Sequence, residues 1–509
     1  MKKIILFLFL LPIIFVGCKK DGPRLEPSSS MEETEKLLSS AAGSSVIELI
    51  WAYSEWELVT NGDGFLYNFT FLKGGNAKQT GKSRISFNYN ENKTGELRYQ
   101  EVTIKNKTTS QSHVIKISQS PEPPIELSIN SSIKYQNVTG FGGMNNVWAA
   151  GFLSLDEVQK MYSQDGLGYN MMRIMIWPNK NDWGRDVATT LKAQSLGARI
   201  LASPWTPPSE MKSSNSNLHG HLLPEKYPDY VKHLNDFIAF MKDKGITIEA
   251  VSIQNEPDWS PEYDGCEWSP EQILDFVKNH AGAINAKVLA AEAVNFKKMY
   301  TDPVLNDPIA VNNLDVVGGH LYGGGLVDYP LARAKGKEIW MTEHLLNDVN
   351  DGMGWDQALV LAKELNDCME ANFNAYFWWY LKRSYSMLGD GDKGTVMGET
   401  MKRGYVLSHY AKYATGRTRI NVGKISGNSN FHVTAYEGTE DITLVVQNLG
   451  ENSMPSVQFN LANVMSGVEA TETTSSVAMT NKAVTLSADK KSIVLSFKPK
   501  SIVSVKIKK

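Results

Sequence analysis

Two glutamates stand at the ends of runs that begin as strands. "VSIQNEP", Val251 to Pro257, opens with Val251 and Ile253, which suit a sheet, and closes with Gln254, Asn255 and Glu256 before a proline that stops a strand. "IWMTEH", Ile339 to His344, follows the same plan and leaves Glu343 at its polar tip. Such side chains are costly to bury unpaired, so a strand end facing a ligand is a natural place for them. Two carboxylic acids brought together there are the equipment of a glycosidase. One protonates the leaving oxygen and the other attacks the sugar or activates water. Exposed glutamates are common, and only the matched positions of Glu256 and Glu343 give them weight.

The elements that must carry them alternate. Candidate strands are "VTGFGGM", "NMMRIMI", "ARILASPW", "IEAVSIQNEP", "AKVLAAEA", "LDVVGGHLYG", "KEIWMTEH" and "FNAYFWWY". Helical patterns such as "YPDYVKHLNDFIAFMKDKG" and "WDQALVLAKELNDCMEAN" lie between most of them, although the helix after the fifth strand is undefined. Eight apolar strands of this kind predict a (β/α)8 TIM barrel with its active site at the strand C-terminal ends. Glu256 then tips the fourth strand and Glu343 the seventh. A doubly wound sheet is the competing topology, but no Gly-rich phosphate turn follows the first strand.

The flanks read as β structure. Period-two runs between about Val46 and Ser120, broken by Asn, Gly and Lys clusters, predict an Ig-like β-sandwich over 45–120, closed by the linker "PEPPI" at 121–125. The barrel is expected over 126–420 and a side β domain over 421–509, with 126–137 a candidate to join that side domain. The chain opens "MKKIILFLFLLPIIFVGCKKDG", two lysines and an apolar run too short to span a bilayer comfortably, as in a secretory signal. "FVGC" resembles a bacterial lipobox. The resemblance implies a signal over 1–17, a lipidated Cys18 and anchorage to the outer membrane, on its surface or periplasmic face, while a composition rich in Ser, Glu and Lys suits a flexible tether over 18–44. A plain cleaved signal and an uncleaved anchor are the alternatives.

Bulk properties narrow the partners. At 509 residues the chain exceeds a single core, and a net charge of -3 gives no reason to expect a nucleic-acid partner. Beyond Cys18 only Cys266 and Cys368 remain, with no zinc-like spacing; no metal, no cofactor and a monomer are expected.

"SIQNEPD" and "WMTEH", with "GFGGMNNVWA", "RIMIWPNKNDWG", "SPWTPPSEMK", "GGHLYGG" and "FWWYLKRSY", resemble glycoside hydrolase family 30 from about Glu126 to the C-terminus. The resemblance implies a retaining mechanism, with Glu256 as general acid/base, Glu343 as nucleophile and the C-terminal strands fused to the barrel. Asn255 is then placed to hydrogen-bond the sugar 2-hydroxyl, and Arg173 to keep the nucleophile ionised. His320 and Tyr322 are candidate partners of the two carboxylates, a structural role for His320 being the alternative. Trp183, Trp205, Trp259, Trp379 and Tyr380 fall where flat rings could line a sugar cleft. Trp378 alternates toward packing, and Trp148 and Trp177 fit either role. In the glucuronoxylan-specific branch an arginine and a tyrosine after the eighth strand grip the uronate side chain, and Arg383 and Tyr385 match them. Lys382 stands where a second arginine is often found, and Glu267 where an apolar residue is more usual.

"W-E-L", "N-x-T-G-E-x-R" and "KISQS" in the N-terminal region resemble the BACON module, against an unrelated Ig-like spacer. The leading expectation is a retaining endo-β-1,4-xylanase acting on glucuronoxylan and directed by its uronate. Alternatives are a family 30 xylanase indifferent to the uronate, another β-glycanase such as a β-1,6-glucanase or a glucosylceramidase-like enzyme, and a non-catalytic glycan-binding surface lipoprotein.

Overall fold

The structure, a computed structural model, describes residues 26–60, 64–92, 97–120, 125–145, 148, 151–346 and 354–509. The expected signal 1–17, the lipidation site Cys18 and linker residues 121–124 lie outside them.

Eight parallel strands close a barrel: β1 Gly140–Met144, β2 Met171–Ile176, β3 Arg199–Pro204, β4 Ile248–Ser252, β5 Lys287–Ala293, β6 Val316–His320, β7 Glu338–His344 and β8 Ala375–Trp378. Each pairs with the next, and β8 closes on β1. β1 can be so glycine-rich because its backbone lies close against its neighbours. A Cβ on Gly142 would meet the carbonyl oxygen of Met171 at 1.7 Å. The side chains of Met171, Leu201, Ala250, Leu289, Val316, Trp340, Ala375 and Phe377 form one buried cluster, an apolar plug through the barrel. Two residues further along three of these strands, on the same face, stand Arg173, Ser203 and Ser252, all buried. The period of two therefore lays a polar layer on the apolar one, toward the strand C-termini.

Helices cover the outside and show the expected signals. Pro270–Asn279 starts with a capping box between Ser269 and Gln272 and has Pro270 in its first turn. The segment after β5 holds one short α-helix, Asp302–Asn306, between the 3-10 turns Lys298–Tyr300 and Ala310–Asn313, all too short for a helical period to define.

The C-terminal strands form a ten-stranded sheet in which Ile125–Asn137, from before the barrel, pairs with Thr418–Val422 on one side and Met454–Asn460 on the other. Helix Lys402–Tyr413 fastens this sheet to the barrel: His409 bonds Ser504 Oγ at 2.7 Å and Thr473 Oγ1 at 2.8 Å. Burial lowers the His409 pKa to about 3, so the ring bridges the two hydroxyls as a neutral imidazole.

The N-terminal body is a seven-stranded sheet around Ile47, Leu49, Trp56, Ile85, Phe87, Val102 and Ile104. Its longest strand, Gly43–Thr60, carries a bulge between Ala52 and Ser54 and pairs with Lys73–Tyr89 and then Arg98–Asn106. The expected tether over 18–44 is corrected in its described part, from residue 26 onward. Ser28–Ser30 and Glu35–Leu38 are strands, and Ser54 Oγ donates to Ser28 O at 2.9 Å. A polar composition records what side chains prefer, and backbone pairing is indifferent to it.

Candidate active site

The polar layer converges on Arg173. From β2 its Nε donates to Ser203 Oγ at 3.1 Å, Nη1 to Glu343 Oε2 at 2.5 Å and Nη2 to Asn255 Oδ1 at 2.6 Å. Nη2 also lies 3.1 Å from Glu292 Oε1, and the whole side chain is buried. Trp205 packs flat against this charge, with the guanidinium carbon 4.7 Å from its ring centroid.

The two glutamates reach the same point by irregular backbone. β7 shifts register between Met341 and His344, and this irregularity turns Glu343 into the mouth. β4 ends at Ser252, four residues short of Glu256, but the chain remains tied to its neighbours. Asn255 N donates to Pro204 O at 2.9 Å and Glu256 N to Glu292 O at 3.1 Å. Glu256 and Glu292 both have left-handed backbones, φ 47° and 53°. Each costs about 1–3 kcal/mol for a non-glycine residue and persists only where the surroundings hold it.

Once there, each carboxylate has its own partner. Tyr322 donates its hydroxyl to Glu343 Oε1 at 3.0 Å, while His320 Nδ1 lies 3.1 Å from Glu256 Oε1. One ligand atom from each of Glu256, His320 and Glu343 lies within 4.8 Å of the others. A cation could be imagined among these atoms, but Arg173 and a protonated His320 already fill the site with positive charge.

Burial sets the electrostatics. It would lower the His320 pKa, but Glu343, Glu256 and Glu292 outweigh it and raise the value to about 9, so the imidazole is cationic at neutral pH. Burial also opposes ionisation of Glu292, yet Arg173 and His320 bring it down to about 2. Glu343 is pushed upward by burial and by the nearby Glu256, against the pull of His320 and Arg173. Glu343 therefore depends on those two cations for its charge.

Above the glutamates opens a cavity of roughly 700 Å³. Of the aromatics expected to line it, Trp205, Trp259, Trp379 and Tyr380 do so, and Trp148 joins them. Trp379 stacks on Tyr380 with centroids 4.0 Å apart. Trp183 is the exception. It follows the short turn Lys180–Asp182, donates its indole N–H to Trp177 O at 2.8 Å and packs against His233 and Phe237, so it is core rather than cleft. Trp378 is buried, as its alternation implies.

Arg383 and Tyr385 stand beside this cavity rather than in its lining. Burial, then the Tyr385 hydroxyl and Glu343, push Tyr380 upward and Arg383 pulls it back, so Tyr380 feels both. Lys382 turns away into a buried ion pair with Glu157 at 2.9 Å. Three participants escaped the sequence reading: Glu292, and the cavity-lining Tyr263 and Asp264. Glu292 had one available signal, a charge inside the apolar run "KVLAAEA".

A carboxylate held by an arginine, facing a second one paired with a histidine, can cleave an acetal between flat aromatic walls, and with the barrel this makes the protein a (β/α)8 glycoside hydrolase. The comparisons agree. The chain is 38% identical over 338 residues to "Glucuronoxylanase XynC" of Bacillus subtilis (strain 168), covering 64% of this chain and 78% of that protein. The solved "glycoside hydrolase family 30 subfamily 8 xylanase, Xyn30A, from Clostridium acetobutylicum" superposes with a TM-score of 0.69 at 32% identity, over 75% of this chain and 100% of that one. A family 30 endoxylanase from Clostridium papyrosolvens C71 gives 0.67 at 32% identity over the same shares. No protein-family model matches the chain. The chain belongs to glycoside hydrolase family 30.

Proposed function

We propose that the protein is a retaining endo-β-1,4-xylanase that cuts glucuronoxylan where a glucuronic acid side chain directs it. The observation that carries the reading is the spacing of the two glutamates. One carboxyl oxygen of each lies within 4.8 Å of the other, which supports the close pair of a retaining enzyme over the roughly 6.5–9.5 Å separation of an inverting one. Glu343, held by Arg173 and Tyr322, attacks the anomeric carbon; the bond to the bridging oxygen breaks as Glu256 gives that oxygen its proton. Glu256 then takes a proton from water, whose oxygen displaces Glu343 and restores the original configuration. Asn255 Oδ1 is committed to Arg173, which leaves its Nδ2 donor for the sugar 2-hydroxyl.

Xylan as substrate is supported by the xylanase relatives, and the uronate by Arg383. Its side chain is 28% exposed beside the cavity, and a planar guanidinium, here with Nε lacking a hydrogen-bond partner among the described residues, suits a carboxylate. A second reading, the same hydrolysis indifferent to the uronate, is favoured by Asp390, whose Oδ2 lies 3.7 Å from that Nε and offers it an internal counter-charge. Mass analysis of products from glucuronoxylan separates the two. The first reading requires every product to carry one uronate at a fixed distance from its reducing end; equally rapid cleavage of unsubstituted xylan selects the second.

We also propose that the protein acts as a monomer anchored to the outer membrane through lipid on Cys18, as the "FVGC" sequence supports, and that its N-terminal β body is a BACON-like module.

A further inference from the structure

Trp259 belongs to two cavities at once. It lines the catalytic cavity and also a groove of roughly 440 Å³ formed by the loop after β4 with His221 and Tyr300. The ring is 52% exposed, unusual for tryptophan in a folded chain and suited to a sugar face. On this geometry, and resting on the proposed xylanase reading, we infer that the groove beyond Trp259 binds the leaving portion of the xylan chain, with Glu267 as its polar contact.

The direction follows from the chemistry. A general acid must stand beside the oxygen that leaves, so the departing chain lies on the Glu256 side of the cleft. Trp259 is on the same turn, its amide donating to Glu256 O at 3.1 Å. The first departing sugar therefore meets Trp259, and the next ones meet the groove behind it.

The groove is held in shape from several sides. Trp268 N donates to Pro257 O at 2.9 Å, folding the loop after β4 back on itself, and Glu267 N donates to Gly220 O at 2.8 Å, tying that loop to the one after β3. Asp258 accepts from Val294 N at 2.9 Å and pairs with Lys297 at 2.8 Å, locking that loop to the one after β5. Glu267 accepts the Ser260 hydroxyl at 2.6 Å through Oε1, which orients the carboxylate and leaves Oε2 for another donor. A xylose presents adjacent hydroxyls, and an ionised carboxylate is a strong acceptor for them.

The test uses uronate-bearing xylooligosaccharides that share one non-leaving portion and carry one to four xyloses on the leaving side. Wild type is expected to gain at least tenfold in kcat/KM as that side lengthens from one xylose to three. Glu267→Ala should remove most of this gain while leaving the shortest substrate unchanged, with Glu267→Gln intermediate; Trp259→Ala should depress all members. A wild-type enzyme indifferent to leaving-side length overturns the subsite, as does an equal loss by Glu267→Ala on short and long substrates. A wild type that cleaves none of the series but hydrolyses another glycan overturns the xylanase reading itself, and the subsite with it.

Discussion

Arg173 and Glu343, 170 residues apart, meet at 2.5 Å with the arginine side chain wholly buried. A buried charge is tolerable only when paired, and this pairing is what keeps Glu343 available as an anion despite the desolvation that raises its pKa. The same guanidinium reaches Asn255 and Glu292, so one side chain aligns three others.

Removing that charge should therefore show in the pH profile. In the proposed mechanism Glu343 must be ionised to attack, and it is ionised above its pKa; loss of Arg173 should raise the pKa further and move the acidic limb of kcat/KM to higher pH. Losing hydrogen bonds to a charged group costs about 1.5–3 kcal/mol, or roughly ten- to a hundred-fold in rate at neutral pH. Arg173→Gln, which removes the charge and keeps a hydrogen-bonding side chain, assayed on an aryl glycoside across pH, is expected to show both effects. An unmoved limb would assign it to a group other than Glu343.

The two glutamates can be told apart by azide rescue. Glu343→Gly opens space for azide at the anomeric carbon and should yield the azide of inverted configuration, because no enzyme carboxylate has reacted first. Glu256→Ala should retain activity on substrates whose leaving group needs little protonation, and azide should then give the retained product by attacking the Glu343 adduct. Product configuration read by NMR checks the assignment, and exchanged outcomes would reverse it.

His320 links the site to stability. Its pKa is raised to about 9, against an ordinary value near 6.5, so the protonated ring stabilises the fold. The stabilisation is fully present below about pH 6.5 and is lost as pH rises through 9. Integrated over that interval it is on the order of 3 kcal/mol. Denaturant unfolding at pH 6, 8 and 10 should show wild type losing stability across this window and His320→Asn losing much less. Parallel curves for the two proteins would remove His320 as the cause.

What the sequence disclosed and what it withheld have different physical origins. Glu256 and Glu343 were legible because a strand that turns polar at its end is a one-dimensional pattern. Arg173, Asn255, His320 and Tyr322 could be assigned once the barrel put strand ends together. Glu292 stayed hidden because its partners come from other strands, and a run such as "KVLAAEA" records only burial. Trp183 was misplaced for a related reason. Its loop lies at the mouth, but whether a ring faces outward or inward depends on the local turn, here Lys180–Asp182. The strands Ser28–Ser30 and Glu35–Leu38 were read as tether because edge pairing needs no apolar signature.

Arg383 is where the substrate itself can be tested. A charge-assisted contact between its guanidinium and a uronate should contribute about 1.5–3 kcal/mol, or roughly ten- to a hundred-fold in catalytic efficiency. Binding energy from that side chain can orient the scissile bond, so its loss should lower kcat as well as raise KM. Asp390, 3.7 Å from Arg383 Nε, would compete with a uronate for the same charge. Arg383→Ala should therefore depress hydrolysis of glucuronoxylan while leaving the weak hydrolysis of unbranched xylooligosaccharides nearly intact. Arg383→Lys should restore little, since a point charge replaces a fork. Asp390→Asn should act the other way, improving KM for glucuronoxylan alone by freeing the guanidinium. If Arg383→Ala loses both activities equally and Asp390→Asn changes neither, the Arg383–Asp390 pair serves to hold the loop after β8, and the uronate has no part in directing the cut.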